Sequence, residues 1–225
     1  MSDRRSEIRA ELSEFLDNDR SLIDSAVAPI VFVAVNAFVG LGWAVTAAGV
    51  IGVGVLIRRL TTQGRPGYAI GGLVATMGAA LLALWLGRAE GFFLPGILAN
   101  AGYVAAGVVS IIVRRPMMAW VSAFTRRWPR EWYWRKDVRP AYTLVTWFWI
   151  GFWTVRGIVQ YALFEAEQPE ALAGVKILTG WPIGIPLVIL SYVYGTKRLR
   201  SLGGPSVEEF RTGAPPPWEG QQSGF

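Results

Sequence analysis

The sequence predicts an all-α protein, a polytopic bundle of six transmembrane helices whose N- and C-termini both lie in the cytoplasm. The composition is the first indication, because the 225 residues are 52% hydrophobic and only 17% charged, whereas soluble domains average about 25% charged residues. The distribution of charge is the second. Nineteen of the 22 lysines and arginines lie in four clusters, in the N-terminal arm and at 58–65, 114–139 and 197–211, separated by nearly uncharged apolar blocks.

The first apolar block runs from Ala26 to Ile57 and is too long for one upright span. Its 32 residues would make a helix of about 48 Å, whereas the hydrocarbon core of a bilayer is about 30 Å thick. Gly40 and Gly42 lie near its middle. We therefore predict two short helices in a tight hairpin, at 24–39 and 42–57. One long, tilted helix is the alternative.

Four further blocks of about 20 apolar residues each predict spans at 66–86, 92–113, 140–164 and 172–194. With six spans, all four basic clusters lie on the same side of the membrane, and the positive-inside rule makes that side cytoplasmic. The opposite side is mainly acidic, with Glu90, Glu165, Glu167 and Glu170. A five-span chain would place either the arm or the tail on the wrong side.

Three segments are predicted to lie outside the hydrocarbon of the membrane domain, which covers 24–198. The arm at 1–23 is amphipathic and forms either a solvated cap or an interfacial helix. The connection at 114–139 carries eight basic and two acidic residues among many aromatic ones, so we expect it along the inner leaflet. Its predicted lipid contacts are Arg126, Arg127, Trp128, Trp132 and Trp134. The glycine- and proline-rich tail at 199–225 is predicted to be disordered.

Several kinds of chemistry are excluded by composition. The chain has no cysteine and no histidine, which removes thiol chemistry, Cys/His zinc sites and Ser–His or Cys–His nucleophiles. No Asp or Glu lies within a predicted span, which argues against a carboxylate proton relay. We therefore predict no catalytic residues, no metal ligands and no cofactor, and we do not expect an enzyme.

Arg156 is the one ionised group well inside a predicted span, where an arginine is costly and calls for an explanation. It is predicted either to snorkel to the outer headgroups or to face the bundle, where it packs by cation–π contacts against the tryptophans of its own helix face or binds an anion. We group it with four other polar residues as a candidate intramembrane site: Gln160, Asn100, Asn36 and Tyr103. For the two asparagines, interhelical hydrogen bonding is the default interpretation and substrate binding is the alternative.

Pro182 and Pro186 lie one turn apart in the sixth predicted span. Two prolines at this spacing remove two backbone donors from a helix. We predict a helix break at these positions. The break is either a packing kink or, as in transporters with discontinuous helices, part of a substrate site.

Residues 87–97 (GRAEGFFLPGI), followed by Asn100, Tyr103 and the VRRP sequence at 113–116, resemble a bacterial membrane-protein family catalogued as domain of unknown function 3159. Arg156 and Gln160 fit the same resemblance, which covers about residues 22–200. It implies an integral protein of the bacterial plasma membrane and supplies no activity. A fainter similarity links the FFLP segment to the intracellular septation protein A family and implies a role in the cell envelope.

We expect a non-enzymatic, envelope-associated or scaffold protein of the bacterial plasma membrane. The alternative is a small transporter or channel for a neutral or anionic solute, with Arg156 in the pathway. The expected partners are membrane lipids, including anionic headgroups of the inner leaflet, and either a second copy of the chain or a membrane partner protein. Because the basic residues gather at the ends of apolar blocks, nucleic acid is not an expected partner.

Overall fold

The structure is a computed structural model that describes residues 30–62, 66–222 and 224–225, and these residues are helical with no strand. The predicted amphipathic arm and the first residues of the first predicted span lie outside this range. The chain divides into two compact units. The described part of the first contains 30–98 and 159–181, and the second contains 99–158 and 182–225.

The first unit begins with three helices. Helix α1 is described over Ile30–Val39, α2 spans Leu41–Thr62 and α3 spans Pro66–Leu86. Gly40 separates α1 from α2 with a φ of +95°, a left-handed conformation that glycine adopts without strain. The interruption therefore falls at Gly40, one of the two glycines named from the sequence, whereas Gly42 lies within α2. Pro66 begins α3, where its missing amide donor removes no helical hydrogen bond.

A 3₁₀ turn at Ala89–Phe93 is the centre of packing in the first unit, and all five of its residues are buried. Phe92 stacks on Phe32 of α1 with a ring separation of 4.3 Å. Gly91 is required here, because a Cβ at this position would come within 2.8 Å of the Ala83 Cα. The same unit contains helix α8, Pro169–Leu178, whose Leu172 is fully buried in the same core.

Two basic residues of the first unit, Arg88 and Lys176, contact other side chains of the same unit. Arg88 lies 4.2 Å above the Phe164 ring and 3.8 Å from the Glu167 carboxylate. The Lys176 ammonium lies 5.7 Å from the rings of both Phe92 and Phe93. These contacts are cation–π interactions supported by one half-exposed ion pair.

Helix α4, Leu94–Ile112, and helix α7, Arg139–Glu165, supply most of their length to the second unit, and their residues 94–98 and 159–165 belong to the first. Between them lie the short helices α5, Met117–Arg126, and α6, Arg130–Tyr133. Helix α9, Trp181–Leu202, and helix α10, Val207–Thr212, complete the unit. Close packing of α4 on α7 depends on Gly107, where a Cβ would lie 2.7 Å from the Ile150 Cγ1.

Three described segments are long and apolar enough to cross a membrane: Leu41–Arg58, Ala89–Ile112 and Pro169–Leu202. Two shorter apolar helical stretches are Ile30–Val39, which is α1, and Leu73–Leu86, which lies within α3. Helix α7 has 27 residues, which is also long enough to cross a membrane. It carries Arg156 and is not one of the three segments named above. The protein is therefore an all-helical chain with helices suited to a membrane.

The sixth predicted segment differs from the structure in where it breaks. Helix α8 ends at Leu178, and α9 begins at Trp181, so the interruption falls at Thr179 and Gly180. Pro182 occupies the first turn of α9, a position that tolerates proline. Pro186 lies inside α9 without ending it. The break predicted at Pro182 and Pro186 is thus displaced to the two residues before α9.

The tail is folded, contrary to the disorder expected from its glycine and proline content. Helix α9 continues to Leu202, three residues beyond the start of the predicted tail at Leu199, and α10 follows. Ser206 caps α10, because its side chain accepts a hydrogen bond from the Glu209 amide while the Glu209 carboxylate accepts one from the Ser206 amide. Such a reciprocal capping box satisfies two donors that a helix N-terminus otherwise leaves open.

Candidate functional site

Arg156 lies on α7 and is half-buried. Its Nε is buried and has no hydrogen-bond partner among the described residues. Tyr103 of α4 is close enough to interact electrostatically with the guanidinium, and the Tyr103 ring packs 5.0 Å from the ring of Trp153. The arginine therefore lies in a mixed polar and aromatic setting inside the second unit.

Asn100 is the third member of this group. It is 4% exposed, and its Cβ would lie 3.4 Å from a Cβ built on Gly157, the residue after Arg156. Asn100 on α4 therefore lies against α7 beside Gly157. The second unit brings together three of the five predicted polar residues: Arg156, Asn100 and Tyr103.

The other two predicted residues belong to the first unit. Asn36 is half-buried on α1, and its backbone carbonyl accepts a hydrogen bond of 3.1 Å from the Gly40 amide. Gln160 is 3% exposed. Gln160 lies one helical turn beyond Arg156 along α7, and the chain passes from the second unit to the first between them.

Trp149 shows how α7 packs on α9 within the second unit. Its Nε1 donates a hydrogen bond of 3.1 Å to the Ser191 Oγ, and its ring lies 5.3 Å from that of Trp153. A buried indole N–H usually requires such a partner. The tryptophans on this face of α7 therefore pack against neighbouring helices and against one another.

The first unit carries an open apolar groove of about 560 Å³ along α3. It is lined by Ala75, Gly78, Ala79, Leu81, Leu82, Trp85 and Pro95. None of these residues belongs to the predicted polar site. In the part of the chain that the structure describes, no group of three or more acidic side chains is placed to hold a metal ion.

The basic aromatic connection and the tail form one packed assembly in the second unit, which we call the tail module and define as residues 114–142 and 191–225. Its core is formed by Ala119, Trp132, Tyr133, Val138, Ala141, Tyr142, Leu199 and Val207. Trp132 is fully buried, and its Nε1 donates a hydrogen bond of 2.9 Å to the Pro205 carbonyl. Trp132 therefore cannot be the lipid contact that the sequence predicted.

Arg126 and Trp128, two other predicted lipid contacts, also face the tail. The Arg126 Nε donates a hydrogen bond of 2.9 Å to the Phe225 carbonyl, and the guanidinium lies 5.1 Å from the Trp128 ring. Trp128 and Trp134 are half-buried, and Arg127 is exposed. Of the five predicted lipid contacts, Arg127 is thus the one whose side chain is fully available to solvent or lipid.

Phe225 anchors the tail to the start of α7. Its ring stacks on that of Tyr142 with a centroid distance of 4.3 Å and an interplanar angle of 12°. The Gly224 amide donates to the Tyr192 hydroxyl at 3.3 Å, and Arg200 donates to the Gln222 carbonyl. These contacts fix the last residues of the sequence against two helices.

Electrostatics within the tail module agree with this packing. Burial raises the pKa of Tyr133 to about 12, although a hydrogen bond with the Ser122 hydroxyl and the charge of Arg126 act in the opposite direction. Tyr133 therefore stays neutral at physiological pH. The half-buried Glu209 accepts hydrogen bonds from the backbone amides of Ser206, Glu219 and Gly220, which hold the pKa of its carboxyl below the usual range.

Comparison with protein families shows which family the chain belongs to. A family model described as "Protein of unknown function (DUF3159)" matches residues 19–201. The chain belongs to this family. No curated protein and no solved structure matches it, and the fainter similarity to the septation protein A family is not shown. For this DUF3159 member, the family match covers the long helices and the connection, and it ends at the beginning of the folded tail.

Proposed function

We propose that this protein is a non-enzymatic scaffold of the bacterial plasma membrane, with six spans and both termini in the cytoplasm. The three membrane-length segments and two shorter apolar helices support the multi-pass arrangement, and the length of α7 allows it to be the remaining span. The basic clusters support the orientation, because all four lie on the cytoplasmic side only with an even number of spans.

The folded tail module is the observation that carries this proposal. Ordering a segment costs about 1–2 kcal/mol per residue in backbone entropy, so a glycine- and proline-rich tail folds only if specific contacts offset that cost. Here those contacts are the Phe225–Tyr142 stack, the hydrogen bond from Trp132 to Pro205 and the capping box of α10. A rigid, aromatic and basic platform beside the membrane suits the docking of partners. Those partners are membrane lipids and either a second copy of the chain or another membrane protein.

Two variants distinguish the scaffold from other roles. In a strain that lacks the protein and shows an envelope defect, the Arg156→Leu variant is expected to restore wild-type behaviour once its membrane abundance is matched to that of the wild-type protein. Deletion of 203–225 at the same matched abundance is expected to fail, because it removes α10 and the rest of the folded tail and leaves α1 to α9. Envelope sensitivity to detergent, normalised to protein abundance by immunoblot, is the measurement. The reverse pattern would contradict the scaffold.

A transporter or channel is the second candidate, and the buried Nε of Arg156 favours it, since a guanidinium nitrogen without a partner can receive an anion. Under this alternative, protein in liposomes would carry an anionic solute, and Arg156→Leu would abolish the flux while tail deletion would leave it intact. If Arg156→Leu failed to complement at matched abundance, that result would favour the transporter or channel over the scaffold.

A further inference from the structure

Helix α5 has an apolar face that points away from the protein. Ala119 and Ser122 are buried on its inner side, whereas Trp120 is 42%, Val121 50% and Phe124 87% exposed. The helix has only 10 residues, too few to cross a bilayer. An exposed apolar face on a short helix, flanked by charge, is the pattern of a helix that lies in the membrane interface.

Four residues beside this face form an arrangement that we call the Arg–Trp stack, consisting of Arg115, Trp134, Trp120 and Arg130. The Arg115 guanidinium lies 4.5 Å from the centre of the Trp134 ring, and Trp134 lies 5.3 Å from Trp120. The Arg130 guanidinium lies 5.4 Å from the centre of the Trp120 ring. The two indole rings therefore hold a guanidinium group on each side.

Both arginines of the stack keep their hydrogen-bonding capacity for an external anion. Each is exposed, and neither forms an ion pair with a carboxylate in the described part of the chain. A guanidinium that rests on an aromatic ring still presents its N–H donors along its edge, in a geometry that matches phosphate oxygens.

We propose that α5 lies in the surface of the inner leaflet and that the Arg–Trp stack binds the phosphate of an anionic phospholipid headgroup. Tryptophan prefers the headgroup level, and Val121 and Phe124 then enter the acyl region. This inference rests on the proposed membrane placement and names the lipid partner of the tail module. It replaces Trp132, which is buried, by Trp120 as the principal interfacial tryptophan.

The charge of the segment favours a lipid surface over a protein. Residues 114–139 contain eight basic and two acidic side chains, and Arg114, Arg127 and Lys136 are exposed together with the two arginines of the stack. The core of a protein interface is depleted of charge, whereas basic residues bordering an apolar helix face attract anionic headgroups. The occupant that this surface fits is therefore an anionic phospholipid in a bilayer.

The stack is tested with the full-length protein in nanodiscs of equal phosphatidylcholine and phosphatidylglycerol, by counting the lipids that remain bound in native mass spectrometry. The double variant Arg115→Gln/Arg130→Gln is expected to lose the phosphatidylglycerol preference by roughly tenfold, because each basic side chain near an anionic surface adds severalfold to binding. The matched control Lys197→Gln/Arg198→Gln makes the same charge change at exposed residues of α9 that belong to the tail module but not to the stack, and it is expected to retain most of the preference. Equal loss in both variants, or loss in neither, would overturn the proposal.

The depth of α5 is tested with single cysteines, because the chain contains none of its own. A fluorophore at Phe124→Cys is expected to be quenched by lipids that carry a nitroxide in the acyl chain, whereas one at Thr212→Cys on α10 is not. Equal quenching at the two positions, or none at Phe124→Cys, would contradict insertion. Both readings are independent of which side of the membrane the module occupies, so they remain informative if the proposed orientation or the scaffold role fails.

Discussion

Trp132→Ala is expected to unfold the tail module and to lower its free energy of unfolding by about 3–5 kcal/mol, the range for a large aromatic side chain truncated in a core. Trp132 is fully buried. Its ring packs edge-to-face on Tyr133 at 5.1 Å and on Trp128 at 5.5 Å. The substitution removes these contacts and also leaves the Pro205 carbonyl without its indole donor.

The measurement is limited proteolysis of the purified protein in detergent, in which an unfolded module exposes the tail to rapid cleavage after Leu202. Trp120→Ala is the matched control, since Trp120 is 42% exposed and its truncation removes less buried surface than that of Trp132. Trp132→Phe keeps an aromatic ring without the N–H donor and is expected to fall between the two. If Trp132→Ala and Trp120→Ala were cleaved at the same rate, the proposed core would be wrong.

Gly195→Ala is expected to release the tail by displacing Phe225. A Cβ on Gly195 would overlap three atoms of the Phe225 ring, and that ring cannot move without leaving its stack on Tyr142. Inserting a methyl group into such a packed site costs about 1–3 kcal/mol. Phe225→Ala removes the same contact from the other side. We therefore expect the two variants to share a phenotype.

The double variant Gly195→Ala/Phe225→Ala tests whether the two substitutions act through the same contact. If both substitutions act only through the Phe225 contact, combining them adds little to either one, because mutations of contacting residues are not additive. Gly184→Ala is the control on the same helix, where a Cβ would meet nothing within 4 Å. Proteolysis rates of the tail are the readout. Additive effects, or a release by Gly184→Ala equal to that by Gly195→Ala, would contradict the contact.

The long helices were predictable because their signals are local. An uncharged block of about 20 residues that begins at Pro66 predicted 66–86, and α3 spans Pro66–Leu86. The block at 140–164 likewise corresponds to α7, Arg139–Glu165. Gly40, with its positive φ, marked the interruption between α1 and α2. In each case chain composition and backbone preference act within the element itself.

The tail was not predictable from composition, because its order comes from contacts far along the sequence. The hydrogen bond from Arg126 to Phe225 and the one from Trp132 to Pro205 join segments more than 70 residues apart. The glycine and proline content reflects only the local conformational preference of the chain and does not indicate such long-range contacts. One local signal was present, since Ser206 and Glu209 have the spacing of a capping box.

The orientation of the tryptophans was beyond the sequence for a related reason. Helix α6 has four residues, too few for hydrophobic periodicity to define a face, so nothing local shows that Trp132 is buried while Trp120 is exposed. The polar site was only partly predictable. The charge of Arg156 within an apolar block marked this residue as unusual, but the charge does not indicate which residues lie near it. The structure places Arg156 near Asn100 and Tyr103.

Cysteine accessibility tests the central claim most directly, namely that the tail module lies in the cytoplasm of a six-span protein. Ala166→Cys lies in the exposed turn between α7 and α8, and Thr212→Cys lies on α10. In spheroplasts, a membrane-impermeant maleimide is expected to label Ala166→Cys at once and Thr212→Cys only after lysis. Labelling of Thr212→Cys in intact spheroplasts, or protection of Ala166→Cys until lysis, would contradict this arrangement.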